Sequence, residues 1–511
     1  MSPKTKRLFL WFTVAFFILF IVLLLISLIH NFNRPKLISL PTRELRGIWL
    51  SRFDYCERFK THDQDSIKQF IAQSFQKIKD ANFNVVFFQV RGNADAFYQS
   101  RYEPWSQMLT GELGKNPGWD PLDYAIKTAH ALDLELHAWI NVFPAWRGTQ
   151  KPQRTNPPHP FLRHPEWVVC DSNGTAMPQS DHYVSFSPGI PQVRHHITTV
   201  IADIVRRYDV DGIHFDYVRY PEDANTTGYS HDRFSLQQFK KSASNPMNLD
   251  WADWQRDQVT LFVAEAYDKI TNLKPWVKVS AAVIGNYKTS AWNGYNVVFQ
   301  DARRWAEIGK IDYLIPMIYH RSDQAQNIFP QVLKEWNSII AAERPVFPGI
   351  GAFLLEWNEI IKEIHDVRNN QFHGLVIFAF TSLNDDDFEK LKTGEFKYRA
   401  LLPHCPWKST QPVAPPNDFC LTLGSPDTLK FTWRASQSRT LSNSHQKYVI
   451  YSSKKLPIDI TKAENIFAVI DGNTNVWTAS KAILEKSFHY TITCIDEFEN
   501  ESTPVAPIKL E

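Results

Sequence analysis

The sequence predicts an α/β chain centred on a (β/α)8 (TIM) barrel, with an N-terminal transmembrane anchor before it and a small β-sandwich after it. Three observations carry this. From about residue 43 to 402, short apolar runs alternate with amphipathic helical stretches. The apolar runs lack the polar alternation of a half-wet sheet, so both of their faces are buried, as in a parallel sheet wrapped by helices. About eight such strand–helix repeats are enough to close a barrel. A doubly wound open sheet is the competing arrangement, and no Gly-rich phosphate loop supports it.

The chain begins with Lys4, Lys6 and Arg7, followed by an uncharged apolar run from Leu8 to Ile29. At about 1.5 Å per residue that run crosses a bilayer core of about 30 Å. No small-residue cleavage site follows it. Residues 1–34 are therefore expected to be a cytoplasmic tip and an uncleaved signal anchor. The positive flank places the rest of the chain outside the cytoplasm, in the periplasm or at the cell surface.

Residues 43–402 supply the barrel. Its expected strands are Arg46–Ser51, Asn84–Val90, Leu134–Ile140, Asp211–Asp216, Val277–Val283, Asp312–Ile318, Pro345–Gly351 and Gly374–Phe380. Between them, Asp65–Asn82 sets Ile67, Phe70, Ile71, Phe75 and Ile78 on one stripe, with Asp65 as N-cap. Asp120–Asp133 opens with a capping Asp and Pro121 at the first helical position. Pro191–Asp209 turns Val193, Ile197, Val200, Ile201, Ile204 and Val205 inward. The segment Tyr102–Pro121 is too long for a simple connection and is expected to shape a substrate cleft.

Residues 403–418 hold five prolines without apolar periodicity and read as a stiff linker. Residues 419–511 change to short strands and turns, which suit a β-sandwich with Trp433, Tyr448 and Tyr490 in its core. The closing "YTITCIDEFENES" looks like the last strand and turn of a fibronectin type III module. Five cysteines, Cys56, Cys170, Cys405, Cys420 and Cys494, lack metal-ligand spacing. An exported chain permits disulfides: Cys405 and Cys420 flank the linker and are placed to staple it, Cys56 and Cys170 fall in loops at one end of the barrel, and the odd count leaves at least one thiol free, with the pairing open.

Composition excludes some partners. A net charge of +2 offers no polybasic surface for nucleic acid. No motif implies a metal or cofactor. An aromatic share of 14% fits sugar-stacking clefts, and large cores as well.

Barrel chemistry sits at the carboxyl ends of the strands. "DVDGIHFDYVRYP", Asp209–Pro221, delivers Asp216 there, followed by Tyr217, Arg219 and Tyr220. A carboxylate among aromatic and cationic side chains suits glycoside chemistry: the acid attacks or stabilises a sugar cation and flat rings stack on sugar faces. Asp54, Arg91, His137, Trp139, Asn141 and Tyr319 reach the same rim and, with Tyr217 and Arg219, are the candidate substrate-binding groups. Each has a plainer role available. Asp54 neutralises Arg52 or Arg91, His137 is a satisfied core histidine, and Trp139 is core. Hydrolysis needs a second carboxyl, and none stands at the tips of strands five or six. Asp301, Asp54 and Glu222 are the candidates. Asp301 is favoured because its aromatic loop would fold over the mouth, although it would also cap the helix "DARRWAEIG".

"RGIWLSRFD", the run from Phe83 to Phe143, "DGIHFDYVRYP" and "IDYLIPMIY" together resemble glycosyl hydrolase-like family 10. The likeness covers roughly residues 43–390, with several motifs in the same order. It implies a (β/α)8 barrel, export to the cell envelope and, for at least some members, action on peptidoglycan glycan strands stripped of stem peptides. In related glycosidases a catalytic Asp ends strand four, the position of Asp216 here. The expected function is thus hydrolysis of a polysaccharide, a bacterial wall glycan. The rivals are a catalytically inactive glycan-binding envelope protein and a scaffold whose β-sandwich recruits partners.

Overall fold

The computed structural model describes residues 40–222, 228–339, 344–425, 428–435, 445–480 and 488–509. The apolar run Leu8–Ile29, expected to anchor the chain, lies outside these residues. Among the described residues no helix is long and apolar enough to cross a membrane.

A closed barrel is made by β1 (Leu45–Leu50), β2 (Val85–Arg91), β3 (Glu135–Asn141), β4 (Gly212–Asp216), β5 (Lys278–Ile284), β6 (Tyr313–Ile318), β7 (Gly349–Gly351) and β8 (Gly374–Phe378). Neighbours in sequence are neighbours in the sheet, all parallel, and β8 closes on β1. The runs are apolar on both faces because one set of side chains fills the barrel and the other meets the helices. Trp49, Phe87, Trp139, Tyr313 and Ile315 belong to the inner cluster. The inside also holds polar groups: the Trp49 indole donates to His214 Nε2 at 3.0 Å, and His214 Nδ1 meets Ser280 Oγ at 2.9 Å.

The helices follow the expected stripes, with one shift. The first spans Gln64–Asp80 and is capped by Asp63, not Asp65; the Asp63 carboxylate accepts from Ser66 N at 2.9 Å. Asp63 has the extended backbone an N-cap needs, whereas Asp65 already lies in the first turn. Asp120 caps its helix as expected, accepting from Leu122 and Asp123 N–H groups.

Between β3 and β4 an antiparallel pair, Pro144–Arg147 with Tyr183–Ser185, is inserted. It is this pair that contributes to the cleft described below. The loop 102–121 pins the barrel flank, where Glu103 is buried and grips Arg91, and its Gln107 and Leu113 line a hollow with Arg147 and Asp181.

Beyond the linker, β9 (Asn417–Ser425), β10 (Thr428–Arg434) and β13 (Val476–Ser480) make one antiparallel sheet in the order β9-β10-β13. A second sheet runs β12 (Ile466–Asp471), β11 (Lys447–Ser453), β14 (His489–Ile495), β15 (Ile508–Lys509). Phe431, Trp433, Tyr448, Ile450 and Tyr490 share one apolar core. The sheets meet the barrel floor, where Lys278 opens β5. Its ammonium pairs with Glu135 at 2.5 Å and with Glu499 at 3.0 Å.

All five cysteines are free thiols. The expected Cys405–Cys420 staple is absent because Cys405 is buried against the Tyr313 hydroxyl, at 3.1 Å, while Cys420 is exposed on β9.

Candidate active site

Asp216 ends β4 beside Asn141, the last residue of β3. The next residue, Tyr217, takes a left-handed backbone with φ +49°. That conformation is costly for a residue with a Cβ and is held only by its surroundings. It turns the chain so that Tyr217 N–H donates to Asp216 Oδ1 at 2.7 Å. Asp216 is 7% exposed. Burial pushes its carboxyl up to about 6, against the charge of Arg219, the Tyr217 N–H and the Trp139 indole, all of which favour the ionised form. The group is thus poised to hold or release a proton near neutrality.

An aromatic wall stands over the β6–β8 side. Tyr319, just after β6, stacks on Phe378 at the end of β8, with centroids 5.5 Å apart. Phe353 sets its edge against both, and at 53% exposed it faces the mouth. Trp139 meets Phe378 edge-on at 6.5 Å. The Tyr319 hydroxyl and the Trp139 indole N–H are buried and have no full hydrogen bond among the described residues. Burial and the nearby Asp216 charge raise the Tyr319 pKa well above its ordinary value. Buried polar tips of this kind require partners, and the hydroxyls of a bound sugar are suited to supply them.

Next to Asp216 in the chain, Tyr217, Arg219 and Glu222 line a cleft of ≈ 770 Å3 together with Phe53, Arg147 and Tyr183. The Tyr183 and Tyr217 rings meet edge-on at 5.0 Å. Arg219 lies over the Tyr217 ring, 4.7 Å from its centroid, and its Nη2 is 3.5 Å from Glu222 Oε1. Burial raises the Tyr217 pKa, with further contributions from Asp216 and Glu222, so its hydroxyl lies within electrostatic reach of both acids.

The other residues expected at the rim divide. Asn141 is at the mouth, but its Oδ1 accepts from Gln89 Nε2 at 3.0 Å and it is 1% exposed. Arg91 is buried and bidentate to Glu103, with Nη1 donating also to the Asn141 and Val142 carbonyls. It fixes the end of β3 and does not reach the cleft. His137 lies inside the barrel, fully buried, 3.2 Å from Glu135 Oε2. It fits there because β4 begins with Gly212, where a Cβ would stand 2.4 Å from His137 Nδ1. Asp54 ties β1 to the end of β8, accepting from Ser51 N at 2.7 Å and from Thr381 Oγ1 at 2.5 Å. Asp301 accepts from the Tyr287 hydroxyl at 2.7 Å and from Arg304 N at 3.2 Å, as the cap of the helix Ala302–Glu307. Its capping geometry accounts for both contacts, and none of them leads to Asp216.

Tyr183, Arg147, Phe353 and Phe378 were not singled out from sequence. Tyr183 and Arg147 sit on the inserted pair, whose only signal was the apolar–polar alternation of "YVSFS". Phe353 follows a strand that two prolines shorten.

The chain is similar to a known family, to two curated relatives and to a solved structure. The family described as Glycosyl hydrolase-like 10 matches residues 44–355. Glycosyl hydrolase YngK of Bacillus subtilis (strain 168) is 27% identical over 493 residues, covering 90% of this chain and 92% of its own. Glycosyl hydrolase DigH of Escherichia coli (strain K12) is 26% identical over 337 residues, covering 61% of this chain and 73% of its own. Among solved structures, the PgaB (BpsB) glycoside hydrolase domain of Bordetella bronchiseptica aligns over 68% of this chain and 98% of that one, with TM-score 0.48 and 11% identity.

Proposed function

The chain belongs to the glycosyl hydrolase-like 10 family, and on that premise we propose that it hydrolyses the glycan strands of peptidoglycan after their stem peptides are removed. One observation carries the reading: Asp216 ends its barrel strand with its carboxyl near 6, and the residues that follow it, Tyr217 and Arg219, line an open cleft. A sugar held in the cleft by Tyr217 and Arg219 would bring its glycosidic bond towards Asp216. At neutral pH the ionised carboxylate attacks, or stabilises, the sugar cation formed as that bond breaks. Tyr319 orients the sugar with its unpartnered hydroxyl, and Trp139 directs its indole N–H to Asp216. Glu222 is the proton donor in this scheme, because it lines the same cleft with an exposed side chain, whereas Asp54 ties Ser51 to Thr381 and Asp301 caps a helix.

The N-terminal apolar run supports placing this activity in the cell envelope, with the membrane as the chain's anchor. The two C-terminal sheets support a fibronectin type III-like module that props the barrel floor.

The test is release of reducing ends from purified peptide-free strands by the native chain and by Asp216→Asn. Loss of release with Asp216→Asn is expected, and undiminished release overturns the assignment. A second reading, a glycan-binding protein without catalysis, is favoured by the fact that no carboxylate touches Asp216 among the described residues. It predicts that the native chain retains strands and releases nothing.

A further inference from the structure

Two arginines beside the cleft are buried with guanidinium nitrogens that have no partner among the described residues. Arg52 is 1% exposed and makes no ion pair among the described residues. Its Nη2 donates to Asn93 Oδ1 at 2.9 Å and to the Tyr183 hydroxyl oxygen at 3.0 Å, while Nε and Nη1 have no partner there. Arg219 is 6% exposed, with Nε likewise unpartnered, and its one ion pair is with Glu222, whose side chain is 63% exposed. A third arginine, Arg147, stands at the rim over Phe53, 5.6 Å from the ring centroid. The cleft's acids, Glu57, Asp181 and Glu222, are all exposed to solvent. Their charges are screened by water, whereas the buried guanidinium charges are not. Arg52 has no ion pair among the described residues, and Arg219 meets the buried Asp216 only through space. Buried guanidinium N–H groups without a partner are costly, and an anionic ligand relieves that cost.

We propose that this wall of the cleft selects a sugar that carries its own carboxylate. The inference rests on the glycan-hydrolase reading above and names the feature of the strand that the site reads. Arg219 offers its planar fork directly. Tyr183 offers its O–H, because its oxygen is already engaged as an acceptor by Arg52. Arg52 is thus a positioning residue that polarises Tyr183 from behind. Arg147 adds a cation at the entrance. In peptidoglycan the muramyl lactyl group has a free carboxylate only where the stem peptide is gone; otherwise it is tied up as a neutral amide. A site built for the carboxylate therefore distinguishes stripped strands from intact ones by charge as well as by bulk.

The experiment uses peptide-free strands and the same strands with their carboxylates capped as methylamides, which leaves the linkage and length unchanged. For the native full chain, capping is expected to lower kcat/KM roughly tenfold or more, the scale of one lost charge-assisted hydrogen bond. In Arg219→Gln and in Tyr183→Phe the ratio of free to capped falls towards one. Equal rates on the two polymers, or an unchanged ratio in both variants, overturn the proposal. If neither polymer is cut, the hydrolase reading has failed, and binding decides the present point. Dissociation constants of the Asp216→Asn chain for the two polymers then differ roughly tenfold if the carboxylate is read, and equal constants overturn it. A variant that fails to fold by circular dichroism leaves the native comparison decisive.

Discussion

Arg219 acts on Asp216 through space: its guanidinium sits over the Tyr217 ring, 4.7 Å from the centroid, and pairs with Glu222 at 3.5 Å instead. The Asp216 carboxyl is therefore influenced by a cation without being locked to it. Burial raises its pKa and Arg219 pulls it back, to a balance at about 6. The acidic limb of a kcat/KM profile on glycan strands should then have its midpoint near pH 6, with activity rising as the carboxyl ionises. Arg219→Gln removes the opposing charge and moves that midpoint upward. A midpoint that stays in place in Arg219→Gln rejects Asp216 as the group titrated.

The same shift has a consequence for stability. The folded pKa of Asp216 lies above its ordinary value of 3.8, so folding favours the protonated form. The penalty is absent below the unfolded pKa and fully present above about pH 6. Asp216→Asn should therefore stabilise the fold at pH 7.5, by up to about 3 kcal/mol at about 1.4 kcal/mol per pH unit. Urea unfolding at pH 7.5 and at pH 3.5 checks this, since the gain should vanish at the lower pH. An Asn variant no more stable at pH 7.5 would contradict it.

Asp301 and Glu222 separate cleanly by substitution. Asp301→Ala loses a helix cap and a bond from Tyr287, so it should cost about 1 to 2 kcal/mol in unfolding free energy while kcat changes little. Glu222→Gln, on an exposed side chain, should leave stability almost unchanged and lower kcat by about a hundredfold or more if it donates the proton. The reverse pattern would return the proton-donor role to Asp301.

That pair also shows what was legible in the sequence. The barrel was, because its strands are continuous apolar runs whose burial depends on local pattern alone; β1 to β5 start within a residue of expectation. β7 is shorter than expected, Gly349–Gly351, because Pro345 and Pro348 have no N–H to give to a neighbour. Asp216 was legible as well, since a strand fixes its position. The partners of the other acids were not. Asp54 meets Thr381, more than three hundred residues away in sequence, and Arg91 meets Glu103 in a loop that pattern could assign only by length. Whether a carboxylate is free or spent depends on such long-range contacts.

Arg91 and Glu103 hold the β3 end through two bonds of 2.7 and 2.8 Å, with His196 Nε2 at 3.1 Å. Burial alone would raise the Glu103 carboxyl, but Arg91 and His196 hold it down to about 2. Its ordinary value is 4.5, so the stabilisation is present above pH 4.5 and is lost as pH falls towards 2. Glu103→Gln should destabilise the chain by about 3 to 5 kcal/mol at pH 7, because the Arg91 charge stays buried and unpaired. The difference in unfolding midpoint between native and variant chains should shrink below pH 4. A pH-independent difference would assign the cost to packing instead.

Glu499 tests whether the C-terminal sheets are fastened to the barrel by charge. Lys278, 3% exposed, is held between Glu135 at 2.5 Å and Glu499 at 3.0 Å, and only the second belongs to the sheets. Trp407 and Lys408 add contacts to Asp312 from the linker, at 2.7 and 3.0 Å. Glu499→Gln takes one anion from a buried lysine and should cost about 3 kcal/mol or more. The loss should appear first as faster proteolysis within residues 403–416 and as an unfolding transition that splits in two. Glycan cleavage should persist, because Glu135 and Lys278 open their strands while Asp216 closes its own, at the other end of the barrel. A single, unshifted transition would show that apolar contact, and not the Lys278 network, holds the module in place.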